Sequence, residues 1–186
     1  MKTLKITSVI VIALLMASCS PSREKMAKQI AEKEKNLVVA GNPVPDKTKT
    51  KEIIEMYKKY ADTYPKDSLA PIYLYKAADL SMNFGQNEDA IKLLDRVIKD
   101  YQDFKKLPET YFLKAFIYDN NIKNIVKARA AYQDFLQKYP KSDLANDATL
   151  SLQNLGKTPE EIVKGFEVKA KLKADSAAAA TVAKKK

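Results

Sequence analysis

Residues Lys127 to Ala148 read KARAAYQDFLQKYPKSDLANDA, and this stretch decides the fold. Ala128, Ala131, Tyr132, Phe135, Leu136 and Tyr139 fall at i, i+3, i+4, i+7, i+8 and i+11, one apolar stripe of an α-helix. Pro140 cannot continue that helix, because it has no N–H to donate and its ring clashes with the preceding turn. Ser142 or Asp143 is then placed to cap a second helix, which carries Leu144, Ala145 and Ala148 on one face. The unit is helix, turn, helix.

The same unit recurs upstream. A step back of 38 positions takes Ala128 to Ala90, Tyr132 to Leu94, Phe135 to Val97 and Tyr139 to Tyr101. The helix before it obeys the same offset, with Tyr111 falling on Tyr73, Ala115 on Ala77, Tyr118 on Leu80 and Asn121 on Asn83. A further step of 37 from Tyr101 reaches Tyr64, where Tyr64-Pro65-Lys66 mirrors Tyr139-Pro140-Lys141. Helices are expected at 49–64, 68–84, 87–101, 108–122, 125–139, 143–155 and 159–172. Gly85 is expected to end one in the left-handed conformation, with Asn87 and Asn124 as N-caps. Thr158-Pro159-Glu160-Glu161 combines an N-cap, a first-turn proline and a capping-box Glu.

This period, with its Ala, its later aromatic and its closing Pro, resembles the tetratricopeptide repeat, over roughly Lys51 to Phe166. The resemblance implies an all-α fold, a right-handed helical solenoid of about three helix pairs. It places Ala77, Ala90, Ala115, Tyr118, Ala128 and Tyr132 in the packing between helices. The chain departs from the family pattern in having no Trp, and the step from Tyr118 to Ala128 is one residue longer than usual. Helices 68–84 and 108–122 are apolar on two faces. Leu74, Ala78, Phe112 and Phe116 are therefore candidates for an exposed groove that takes a partner protein, where apolar surface marks a binding site. The competing reading makes each aromatic a core residue.

Composition narrows the chemistry. Of 186 residues, 46% are hydrophobic and 30% charged, which suits helices with solvated, charge-laced outer faces. There is no His and one Cys, so imidazole bases, Ser-His-Asp or Cys-His nucleophile systems and Cys/His zinc sites cannot be built from this chain. Four Gly do not form a phosphate-cradling motif. No catalytic residue, cofactor or metal is expected, and the protein reads as a non-enzyme.

The N-terminus reads as a leader. Lys2 and Lys5 precede a mostly apolar run from Ile6 to Leu15, and the small residues Ala17-Ser18 stand before Cys19, the pattern of a signal peptide over 1–18. Met16-Ala17-Ser18-Cys19 resembles a bacterial lipobox, which implies acylation of Cys19. Acyl chains contribute ~0.8 kcal/mol per buried CH₂, so two or three hold a protein at a bilayer durably. By the same resemblance Ser20 is not an inner-membrane retention signal, and the expected location is the periplasmic face of the outer membrane.

Residues 19–46 are expected to hold the lipidated end, a helix over 22–37 and a Pro-rich linker ending in AGNPVPD. The helix reads as a solvated spacer with a thin apolar edge at Met26, Ala27, Ile30 and Leu37, or else as a short coiled coil or docking helix. The repeat domain spans 47–168. Residues 169–186 read as an unstructured tail; within 170–186, Lys171, Lys173, Lys184, Lys185 and Lys186 against Asp175 carry a net +4 of the chain's +10. Such a tail can meet anionic lipid or cell-wall polymer; nucleic acid is not an expected partner.

YQDFLQKYPKSDLANDATLSLQNLG, residues 132–156, is similar to two families. One is the periplasmic Tol-Pal cell-division coordinator, the other the tetratricopeptide lipoprotein of the outer-membrane β-barrel assembly machine. That similarity implies a lipid-anchored periplasmic scaffold that binds envelope proteins. The second expectation is a wall-associated lipoprotein acting through its basic tail.

Overall fold

The computed structural model describes residues 21–35, 37 and 46–183. The leader, Cys19 and most of the expected linker therefore lie outside the described residues. Every described element is helical, so the all-α expectation holds. The chain forms two compact units, one ending at Phe104 and the other beginning at Lys105.

The first unit opens with α1, Arg23–Lys35. Met26 and Ile30, four residues apart on one edge, are 4% and 1% exposed. This corrects the expectation of a solvated spacer: the thin apolar edge is enough to dock the helix. It packs on α2, Lys47–Thr63. The polar side chains set its direction. Tyr64 Oη donates to Pro21 O at 2.5 Å, Tyr57 Oη to Glu34 Oε1 at 2.6 Å, and Lys33 pairs with Glu52 at 2.6 Å. Higher numbers on α1 meet lower numbers on α2, so the two run antiparallel. Arg23 meets Asp67 at 2.9 Å and Lys76 meets Glu34 at 2.7 Å, separations of 44 and 42 residues that run α1 parallel to the next helix.

That next helix is α3, Leu69–Asn83, followed by α4, Asn87–Asp100. Asp46 starts α2 by accepting hydrogen bonds from the N–H groups of Thr48 and Lys49. The stripe Ile53, Ile54, Tyr57, Tyr60 and Ala61 is buried. Tyr73 of α3 stacks on Tyr57 at 5.2 Å and meets Tyr60 edge-on at 4.8 Å. Those geometries match the ring quadrupoles. Gly85 ends α3 with φ 74°, as expected. Asn87, by contrast, is the first residue of α4; Gln86 holds the cap position without a side-chain bond.

The second unit holds α5, Leu107–Phe116, which runs on through a π-helical turn at Ile117–Asn121. Then come α6, Ile125–Lys138, α7, Ala145–Asn154, and α8, Pro159–Ala183. Asn124 caps α6 by accepting from Lys127 N at 3.0 Å. α7 starts later than the sequence suggests, with Leu144 at the cap and Ser142 Oγ accepting from its N–H at 3.3 Å. The capping box of α8 is closed both ways, Thr158 N to Glu161 Oε2 at 2.8 Å and Glu161 N to Thr158 Oγ1 at 3.3 Å. The expectation of an unstructured tail is corrected as well, because α8 carries helix through 169–183. An Ala-rich run has the highest helix propensity of any composition, which favours helix there.

The turns show the repeat directly. Tyr64, Tyr101 and Tyr139 end α2, α4 and α6 at φ, ψ of −126°, 59°; −133°, 65°; and −130°, 55°. Each donates its N–H to the carbonyl four residues back, and each carbonyl accepts from the residue three ahead. Tyr101 has no proline after it yet turns the same way. Among the described residues no helix is long and apolar enough to cross a membrane.

Candidate partner-binding surface

The residues expected in the packing between helices are all buried: Ala77, Ala90, Ala115, Ala128 and Tyr132 fully, Tyr118 nearly so. Burial pushes the Tyr132 phenol up to about 12. The four groove candidates divide. Leu74 and Ala78 are closed off from solvent, so their expected exposure is corrected. Their counterparts 38 residues on behave differently. Phe112 is half-buried, its ring edge-on to Tyr132 at 5.9 Å and Phe135 at 5.8 Å. Phe116 is 37% exposed.

The first unit offers a different face. On α3, Ile72, Tyr75, Asp79 and Met82 recur at i, i+3, i+7 and i+10, so they share one stripe. Ile72 is exposed, and the other three are half-exposed. The ring of Phe104 lies 6.4 Å from that of Tyr75. Asp79 is the notable member. It has no hydrogen-bond or ion-pair partner among the described residues, and burial alone holds its carboxyl above the ordinary range. Lys76, one turn earlier, is the nearest cation in sequence, but it is engaged by Glu34 at 2.7 Å. A half-buried carboxylate without a counter-charge costs free energy that a cationic ligand recovers.

Asp79 is not among the site residues expected from the sequence. The available signal was its setting: LAPIYLYKAADLSMN carries only Lys76 and Asp79 as charges, so each needs a partner or a purpose. Lys76 has its partner in α1.

Known families bear on this surface. The tetratricopeptide repeat model matches residues 73–103 and 109–142, that is, most of α3 with α4 and most of α5 with α6. Repeats of this type serve protein–protein interaction. No curated protein matches the chain. The pair formed by α1 and α2 lies outside the matched residues, although Tyr64 ends it with the same turn as Tyr101 and Tyr139.

Proposed function

We propose that this chain is a lipid-anchored scaffold on the periplasmic face of the outer membrane, holding a partner protein in cell-envelope assembly. The observation that carries the binding half is Asp79, a half-buried carboxylate without a partner among the described residues, set between Ile72, Tyr75 and Met82 on one stripe of a repeat helix. Such a stripe accommodates an extended segment with a Lys or Arg flanked by apolar side chains: the cation meets Asp79 and the apolar groups cover Ile72 and Tyr75. The anchoring half rests on the charged, apolar and small-residue order of 1–18 and on Cys19, the chain's single cysteine, at the acylation position.

The two halves are tested separately. Cys19→Ser removes fatty-acid labelling and releases the protein from membranes; membrane association without labelling contradicts the anchor. Asp79→Asn keeps size and removes charge, so it reduces recovery of the cross-linked partner at least tenfold with unchanged helicity. Undiminished recovery contradicts the role of the α3 face.

A further inference from the structure

Along α8, Pro159, Val163, Phe166, Ala170 and Ala174 recur at i, i+4, i+7, i+11 and i+15. That is an apolar seam about 24 Å long at 1.5 Å per residue. Val163 and Phe166 are both 56% exposed, and no residue from 159 to 176 is buried. Beside the seam runs a second row with the same spacing, Glu160, Lys164, Glu167 and Lys171. Its charges alternate −, +, −, +. None of the four forms an ion pair within the described residues, although each acid precedes a lysine by one turn. An open depression of about 460 Å³ lies where seam and row meet, lined by Pro159, Glu160, Val163, Lys164 and Glu167.

The order of charges in that row selects its own complement. When two copies of a helix pack antiparallel about a two-fold axis, a flanking row meets the same row reversed. Read backwards, −, +, −, + becomes +, −, +, −, so every acid faces a base. With Phe166 against its copy at the axis, Glu160 falls opposite Lys171 of the second copy and Lys164 opposite its Glu167. Val163 then falls opposite Ala170 and Pro159 opposite Ala174, pairing each larger group with a small one. An anionic membrane would be served by a uniformly basic row, and the acids at 160 and 167 argue against that occupant.

We infer that the exposed face of α8 is a self-association surface, on which a second copy of this chain packs its own α8 antiparallel over residues 159–174. The pairing is short, so it is concentration-dependent and strengthened where chains are crowded together.

The test uses the full chain carrying Cys19→Ser, followed by sedimentation equilibrium. The mass rises towards twice that of one chain as concentration increases. Lys164→Glu with Lys171→Glu makes the row wholly acidic, and Glu160→Lys with Glu167→Lys makes it wholly basic. Each variant alone stays monomeric, and an equimolar mixture of the two dimerises. A second measurement checks direction: a Val163→Cys chain mixed with an Ala170→Cys chain gives the disulfide-linked heterodimer in preference to either homodimer. A native chain that is monomeric at every concentration overturns the inference. So does a mixture that fails to associate, or association of either variant alone at the native level. Binding to phosphatidylglycerol vesicles without self-association assigns the face to lipid instead.

Discussion

Lys123 stands 38 residues after Gly85, and both hold the left-handed backbone conformation, at φ 58° and 74°. They are the same position of two successive repeats. In the first, Gly85 turns the chain and Gln86 N reaches back to Ser81 O at 2.8 Å. In the second, the chain widens into the π-helical turn, with Ile122 N bonded to Ile117 O, before Lys123 makes the turn. A side chain with a Cβ is strained in this region, whereas Gly is not. Lys123→Gly should therefore raise stability by about 1 kcal/mol, read as a shift of the urea midpoint. Gly85→Ala should lower it by about as much. Insensitivity at both positions would contradict the strain.

The docking of α1 gives a second prediction. Ile30 is enclosed, so Ile30→Ala should cost ~2–5 kcal/mol, as for other buried large-to-small changes. A freely solvated spacer would tolerate it. An unchanged melting curve would restore the spacer reading.

Glu34 links that docking to pH. Burial raises its pKa, but hydrogen bonds from Lys76 and Tyr57 outweigh burial, and the carboxyl lies below its ordinary value of 4.5. A depressed carboxyl stabilises the fold above its unfolded pKa, and that contribution is lost as pH falls through the folded value. Stability should thus decline below about pH 4.5, and Glu34→Gln should flatten part of that decline while lowering stability at pH 7. Parallel urea titrations at pH 7 and pH 3 check it. Equal losses in both proteins would remove Glu34 from the account.

The two phenylalanines of α5 should separate. Phe112 packs on Tyr132 and Phe135, so Phe112→Ala should cost ~3 kcal/mol or more. Phe116 is partly solvated and should cost about 1 kcal/mol or less. Circular dichroism melts distinguish them, and equal losses would mean that Phe116 is enclosed in solution.

The repeat was legible because an apolar stripe that must be buried fixes both spacing and helix ends: Ala128, Tyr132 and Phe135 are all fully buried. The role of α1 was not legible. Its two apolar anchors, Met26 and Ile30, are few for a docked helix, and the contacts that orient it, Arg23–Asp67 and Glu34–Lys76, join residues more than 40 apart in sequence. Asp79 was hidden for a related reason. An acidic residue on a helix reads as solvated until its neighbours' pairings are known, and the Lys76–Glu34 contact leaves Asp79 without a cation among the described residues. Exposure of Leu74 and Ala78 was misjudged because helical spacing identifies a face but not what covers it.

The central claim is that a partner lies on the α3 face beside Asp79. A photo-crosslinking residue at Ile72, activated in intact cells, tests it most directly against the same residue at Glu88 on the exposed start of α4. The account predicts a discrete adduct at position 72 that disappears in the Asp79→Asn background, and none at position 88. Equal adducts at both positions, or an adduct at 72 indifferent to Asp79, would contradict it.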